Sequence, residues 1–151
     1  MKPLIVLISV FAVSLVLSKI LSGRYQFAQS GRISMAVMLL FTASAHYAFT
    51  KGMAMMLPPF IPCPTEIIFL TGVLEIAAAI GILSPNFRVV SGWLLIIFFL
   101  LILPANVYAA SRHIDYQNPS NSGSGLAYLW FRIPLQLLFI VWTYASAIKR
   151  Y

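Results

Sequence analysis

The chain has 151 residues, 61% of them hydrophobic and 9% charged, and a formal charge of +7. A water-soluble domain carries about 25% charged residues, so this composition excludes a surface covered by water and makes lipid the main solvent. At about 20 residues per crossing the length suits one bundle of a few helices, and basic residues placed between apolar runs point to membrane topology and anionic headgroups rather than to nucleic acid.

Residues 3–21 form the first apolar run, with Lys2 before it and Lys19 near its end. No small-x-small cleavage site follows, so the run reads as a retained transmembrane helix. The polar stretch 22–32 carries Arg24 and Arg32. The second helix is expected over 33–49. Its later half, FTASAHY, is rich in small residues that let helices approach closely in lipid. Thr42 and His46 are four apart and share a face.

The segment 51–64, KGMAMMLPPFIPCP, holds Pro58, Pro59, Pro62 and Pro64 and reads as a loop in the membrane interface. The single cysteine, Cys63, excludes an intrachain disulfide and CxxC dithiol chemistry. The third helix is expected over 65–83, TEIIFLTGVLEIAAAIGIL, with Glu75 in its middle. A carboxylate at such depth costs roughly 2.5–3.5 kcal/mol on insertion scales and persists when it faces a bundle interior or finds a partner. Thr71, Gly72, Glu75, Ala78 and Ala79 share one small, polar-tolerant face. Glu66 falls on the opposite side, near the helix start, where it complements the dipole.

A turn, SPNFR, leads to a fourth helix over 89–110. Pro104 removes a backbone donor there and leaves the carbonyl near Leu100 without its usual partner. Asn106 and Tyr108 follow closely. Residues 111–125, SRHIDYQNPSNSGSG, read as an aqueous, flexible loop. His113 and Asp115 are too few for a metal site, and no metal site is expected elsewhere in the chain. The fifth helix spans 126–148, with Tyr128, Arg132, Gln136 and Thr143 on one stripe, Pro134 as a bend, and Trp130 and Trp142 toward its ends.

Five crossings put Lys19, Arg24, Arg32, Arg88, Lys149 and Arg150 on one side, and Lys2, Lys51 and Arg112 on the other. The positive-inside rule then places the N-terminus outside and the C-terminus in the cytoplasm. With this topology His46, Glu75, Asn106 and Arg132 come from four helices into the outer half of the bundle. They predict a buried cluster with a Glu75–Arg132 ion pair, extended to a candidate pocket by Tyr108, Tyr128 and Gln136. Polar side chains also hold membrane helices together, at about 0.6 kcal/mol per contact, so a packing lock is the competing reading.

AHY at 45–47, LPPFIP at 57–62, LTGVLE at 70–75, GIL at 81–83 and LPANVY at 103–108 together resemble the DoxX-like bacterial membrane proteins. The stretch 125–136, GLAYLWFRIPLQ, is similar to a subset of that family. The resemblance implies a compact four-helix transmembrane core, to which this chain adds an N-terminal transmembrane helix, and a place in a bacterial inner membrane. Some members of the family are linked to quinone-dependent sulfur oxidation or to membrane oxidoreductase complexes. No thiosulfate motif accompanies the resemblance here.

The sequence names no reaction. It offers no dithiol, haem-ligand pair or nucleotide loop, hence no covalently bound cofactor. The pocket suits a quinone headgroup or another amphipathic small molecule entering from lipid, in an accessory subunit of a membrane oxidoreductase. The alternatives are a non-catalytic assembly subunit, a proton relay through Glu75 and His46, and copper handling by Met53, Met55, Met56, Cys63 and His46.

Overall fold

The computed structural model describes residues 2–149. Six α-helices follow one another: α1 (Lys2–Ser22), α2 (Phe27–Ala48), α3 (Thr50–Met55), α4 (Pro64–Leu83), α5 (Arg88–Ser111) and α6 (Leu129–Thr143). A 3₁₀ turn, Gly125–Tyr128, leads into α6, and a π-helical turn, Tyr144–Ile148, continues from it. No strand forms among the described residues; the only β-type pairing is an isolated bridge between Asp115 and Ser120. The chain is an all-α membrane protein. Helix α1, α4, α5 and the segment Gly125–Ile148 are each long and apolar enough to cross a bilayer.

Helix α2 is the exception, and its position explains why. At 22 residues it is about 33 Å long, enough to run the depth of the bundle. It is tied at both ends. Near its start the Trp142 indole N–H donates to the Gly31 carbonyl at 3.1 Å, and the Arg32 guanidinium donates to the Ser146 carbonyl at 3.2 Å. Near its other end His46 meets α4. Ser30, Gly31, Ser34, Met35, Ala36, Met38, Leu39 and Ala43 are all buried. A helix packed on α1, α4 and the C-terminal segment along much of its length keeps a narrower exposed apolar stripe, Val37, Leu40 and Phe41, and can be less apolar over the rest.

This enclosure corrects the expected start of the second helix. It begins at Phe27, six residues before 33, because Ser30, Gly31 and Ser34 are packing residues rather than aqueous ones. A Cβ on Gly31 would lie 2.8 Å from the Ser146 Cβ, so the close approach of α2 to the C-terminal turn needs glycine. The core proper is Leu7, Met35, Met38, Leu39, Ile82, Leu95, Phe99, Leu135 and Phe139, drawn from α1, α2, α4, α5 and α6.

The two connecting segments are also more structured than expected. Within 51–64, the first residues form α3, separated from α2 only by Phe49. The prolines act further on, and Pro64 opens α4 at a position where it costs no hydrogen bond. The stretch after α5 is pinned rather than free. Asp115 accepts from the Gln117 amide at 2.9 Å, Gly123 N–H donates to the His113 carbonyl at 2.6 Å, and the Tyr116 backbone lies directly on Gly52 of α3. Arg150, counted with the basic end in the sequence, lies outside the described residues.

Candidate functional site

Glu75 sits on α4 with 5% of its surface exposed. Its Oε1 lies 3.4 Å from His46 Nε2 on α2. The other imidazole nitrogen, Nδ1, lies 3.0 Å from the Thr71 hydroxyl, one turn before Glu75. Gly72 makes this contact between helices feasible. A Cβ there would come within 3.2 Å of the His46 Cβ and 3.3 Å of the Tyr47 ring.

The Thr71 hydroxyl has one proton and two acceptors in reach, the Ile68 carbonyl at 2.8 Å and His46 Nδ1 at 3.0 Å. Given to Nδ1, it leaves Nε2–H to donate to Glu75 Oε1, a neutral imidazole on a carboxylate. Given to Ile68, it makes Nδ1 the donor, and the contact between Nε2 and Oε1 then takes one further proton, on the ring or on the acid. In every arrangement a proton lies between Nε2 and Oε1.

The second Glu75 oxygen, Oε2, is buried and has no hydrogen-bond partner among the described residues. Glu75 also lines a cavity of about 40 Å³, together with Thr42, Arg132, Gln136, Phe99 and Pro3. A cavity of that size holds a water molecule or a single hydroxyl. Five helices, α1, α2, α4, α5 and α6, contribute to its wall. The expected Glu75–Arg132 ion pair is not formed. Among the described residues the one ion pair is His46–Glu75. The close α2–α4 packing at Gly72 brings the imidazole into reach first, and Arg132 remains across the cavity.

A second polar contact closes the α5–α6 side. The Gln136 amide donates to the Phe99 carbonyl, and Asn106 donates to Gln136 Oε1 at 3.5 Å. Both side chains are 5% exposed. The carbonyl used is Phe99's, next to that of Leu100, whose usual donor is absent because residue 104 is proline.

The family model of a domain of unknown function, DUF8561, matches residues 35–147. The chain belongs to the DUF8561 family. No curated protein and no solved structure matches it. The DUF8561 match covers all six residues of the His46–Glu75–Arg132–Gln136–Asn106–Thr71 group and leaves out α1, whose Pro3 closes the cavity.

Of the residues expected at the site, the fold brings His46, Glu75, Arg132, Gln136 and Asn106 into one region. Tyr108 is turned to Arg112, whose guanidinium lies 5.9 Å from its ring centroid, and Tyr128 lies in the 3₁₀ turn; neither lines the cavity. Thr71 and Thr42 join the site as one-turn neighbours of Glu75 and His46, a spacing visible in the sequence. Pro3 and the Phe99 carbonyl carried no such signal. Among the described residues no three His, Cys, Asp or Glu side chains gather in one group.

Proposed function

We propose that the cavity beside Glu75 receives the polar end of a membrane-soluble small molecule. The observation that carries this reading is a mismatch across a space of one hydroxyl. On one wall Glu75 Oε2 is a buried acceptor without a donor. On another the Arg132 guanidinium is a donor without an acceptor among the described residues. A buried polar atom left unmet costs about 1–3 kcal/mol, so a bound group that gives and takes a hydrogen bond would be held firmly. A hydroxyl does both. A quinol or another phenol-like headgroup is the class that fits, and the proton of the His46–Glu75 pair lies beside it. The cavity admits the hydroxyl alone, so the ring of such a molecule would rest between helices toward lipid.

The DoxX-like motifs at 45–47, 57–62, 70–75 and 103–108 support a distant kinship with that group and a redox-linked accessory role beside a membrane oxidoreductase. The basic bias supports a bacterial inner membrane with the N-terminus outside. The test is native mass spectrometry of the purified protein with identification of bound lipids and quinones, on wild type, Glu75→Gln and Arg132→Ala. A co-purifying phenolic or quinone species, lost from folded variants, is the expected result. Folded wild type carrying only bulk lipid would remove the proposal.

A packing lock has its own support, since His46, Thr71 and Glu75 join α2 to α4 where Gly72 brings them together. In that case both variants lose stability and no ligand is found.

A further inference from the structure

The polar groups around the cavity divide unevenly between donors and acceptors. Thr42, Glu75, Arg132 and Gln136 are the polar side chains in its wall. The Thr42 hydroxyl gives its proton to the Leu39 carbonyl at 3.0 Å, which leaves its oxygen to accept. Gln136 is engaged at both ends, its amide N–H on the Phe99 carbonyl and its oxygen on Asn106. Arg132 has donors and no acceptor.

Glu75 is the deciding member. His46 takes Oε1 and does not line the cavity, so Oε2 is the oxygen left to face it. Every arrangement of protons on the pair puts a proton between Nε2 and Oε1. Oε2 is then either a carboxylate oxygen or the carbonyl oxygen of the acid, and it accepts in both forms. It is buried and has no partner among the described residues. An occupant must therefore bring a proton for Oε2. A hydroxyl accepts from Arg132 and donates to Oε2. A carbonyl also accepts from Arg132, but it brings only lone pairs to Oε2 and to Thr42. One buried oxygen left unmet corresponds to about a factor of ten in an equilibrium.

We propose that Glu75 makes the cavity selective for oxidation state, holding the hydroxyl of a quinol in preference to the carbonyl of the matching quinone. This rests on the headgroup site proposed above, and adds which form is held and which residue decides. Arg132 anchors either form, and Glu75 reads the proton.

The full chain, purified in a neutral detergent and freed of bound lipid, is equilibrated under argon with decylhydroquinone or decylbenzoquinone. Bound ligand is then extracted and quantified. Wild type should hold the quinol about tenfold more tightly than the quinone. Decylphenol, which has the hydroxyl and no matching oxidised form, should bind as the quinol does. Glu75→Gln should lose the preference. Its amide oxygen can keep the His46 contact while its N–H faces the cavity, where it suits a carbonyl. The quinone should then bind at least as tightly as the quinol. Arg132→Ala should weaken both forms and keep the preference, because the guanidinium donates to either. The wild-type comparison and Arg132→Ala keep the test valid if Glu75→Gln unfolds. Equal binding of the two forms by wild type, a wild-type preference kept by folded Glu75→Gln, or a preference that vanishes in folded Arg132→Ala would each overturn the selectivity while the headgroup site stands. Wild type that binds none of the three probes would remove the site itself, and the selectivity with it.

Discussion

At the scale of single residues, the decisive contact is His46 to Glu75. Whichever acceptor Thr71 chooses, a proton lies between Nε2 and Oε1. Nitrogen NMR and infrared spectroscopy should therefore find a His46 ring protonated at Nε2, or a carboxylic-acid carbonyl band that vanishes in Glu75→Gln. A ring protonated at Nδ1 alone beside an ionised acid would contradict the contact. Stability follows from the same bookkeeping. His46→Leu leaves both Glu75 oxygens without donors and should cost about 3 kcal/mol or more, whereas the same change in a Glu75→Gln background should cost at least about 1 kcal/mol less. Thermal unfolding of the four proteins in one detergent reads the difference. Asp115 provides a second, external case. The Gln117 amide, with further help from Asn118, holds its carboxyl below the usual carboxylate range. A depressed folded value means that the turn's stabilisation is complete above the ordinary carboxylate pKa and is lost as pH falls through the lower one. The Gln117 amide shift should stay constant down to that range and move only below it. Movement at the ordinary value would show that the bond does not form.

At the scale of elements, α3 and the segment after α5 form one docked unit. Phe49 meets Tyr116 edge-on at 6.0 Å, and the Tyr116 backbone covers Gly52, leaving no space for a Cβ. The neighbour is main chain and cannot rotate away. Gly52→Ala improves local helix propensity by about 1 kcal/mol but must lift the segment off α3. Overpacking of this kind costs about 1–3 kcal/mol, so trypsin should cut after the exposed Arg112 about tenfold faster or more in the variant. An unchanged cleavage rate would mean that the segment does not rest there. The sequence revealed these elements unevenly, for physical reasons. Helices α4 and α5 lie within a residue of the apolar runs 65–83 and 89–110, since Pro64 and the SPNF turn punctuate them. The first turns of α2 were hidden because Ser30 and Gly31, polar or small in the sequence, serve close packing inside lipid. Helix α3 was hidden by the prolines that follow it. At the site, helix depth was enough to group Glu75, His46, Arg132 and Asn106. The partner of Glu75 depends on ångström-scale approach at Gly72, which no periodicity encodes.

At the scale of the whole molecule, the open question is which way the bundle faces. The composition of the two ends differs sharply: cations without acidic side chains at one, Glu66 and Asp115 at the other. Helix α2 runs from one end to the other even though its own apolarity is lower than that of its neighbours, so the segment joining α3 to α4 lies at the end opposite the turn 84–87. That segment carries the chain's single cysteine, Cys63, which is exposed and stands just before α4. The native thiol is thus a built-in reporter of topology. A membrane-impermeant maleimide applied to intact cells should label Cys63, and inverted membrane vesicles should protect it, because the end richer in Lys and Arg is retained in the cytoplasm. Cys63→Ser supplies the blank. Tagging a cysteine placed in the turn 84–87 of that variant should give the reverse pattern. If Cys63 labels only in inverted vesicles, the Arg32–Arg88 end faces outward. The Glu75 cavity would then lie in the cytoplasmic half of the membrane.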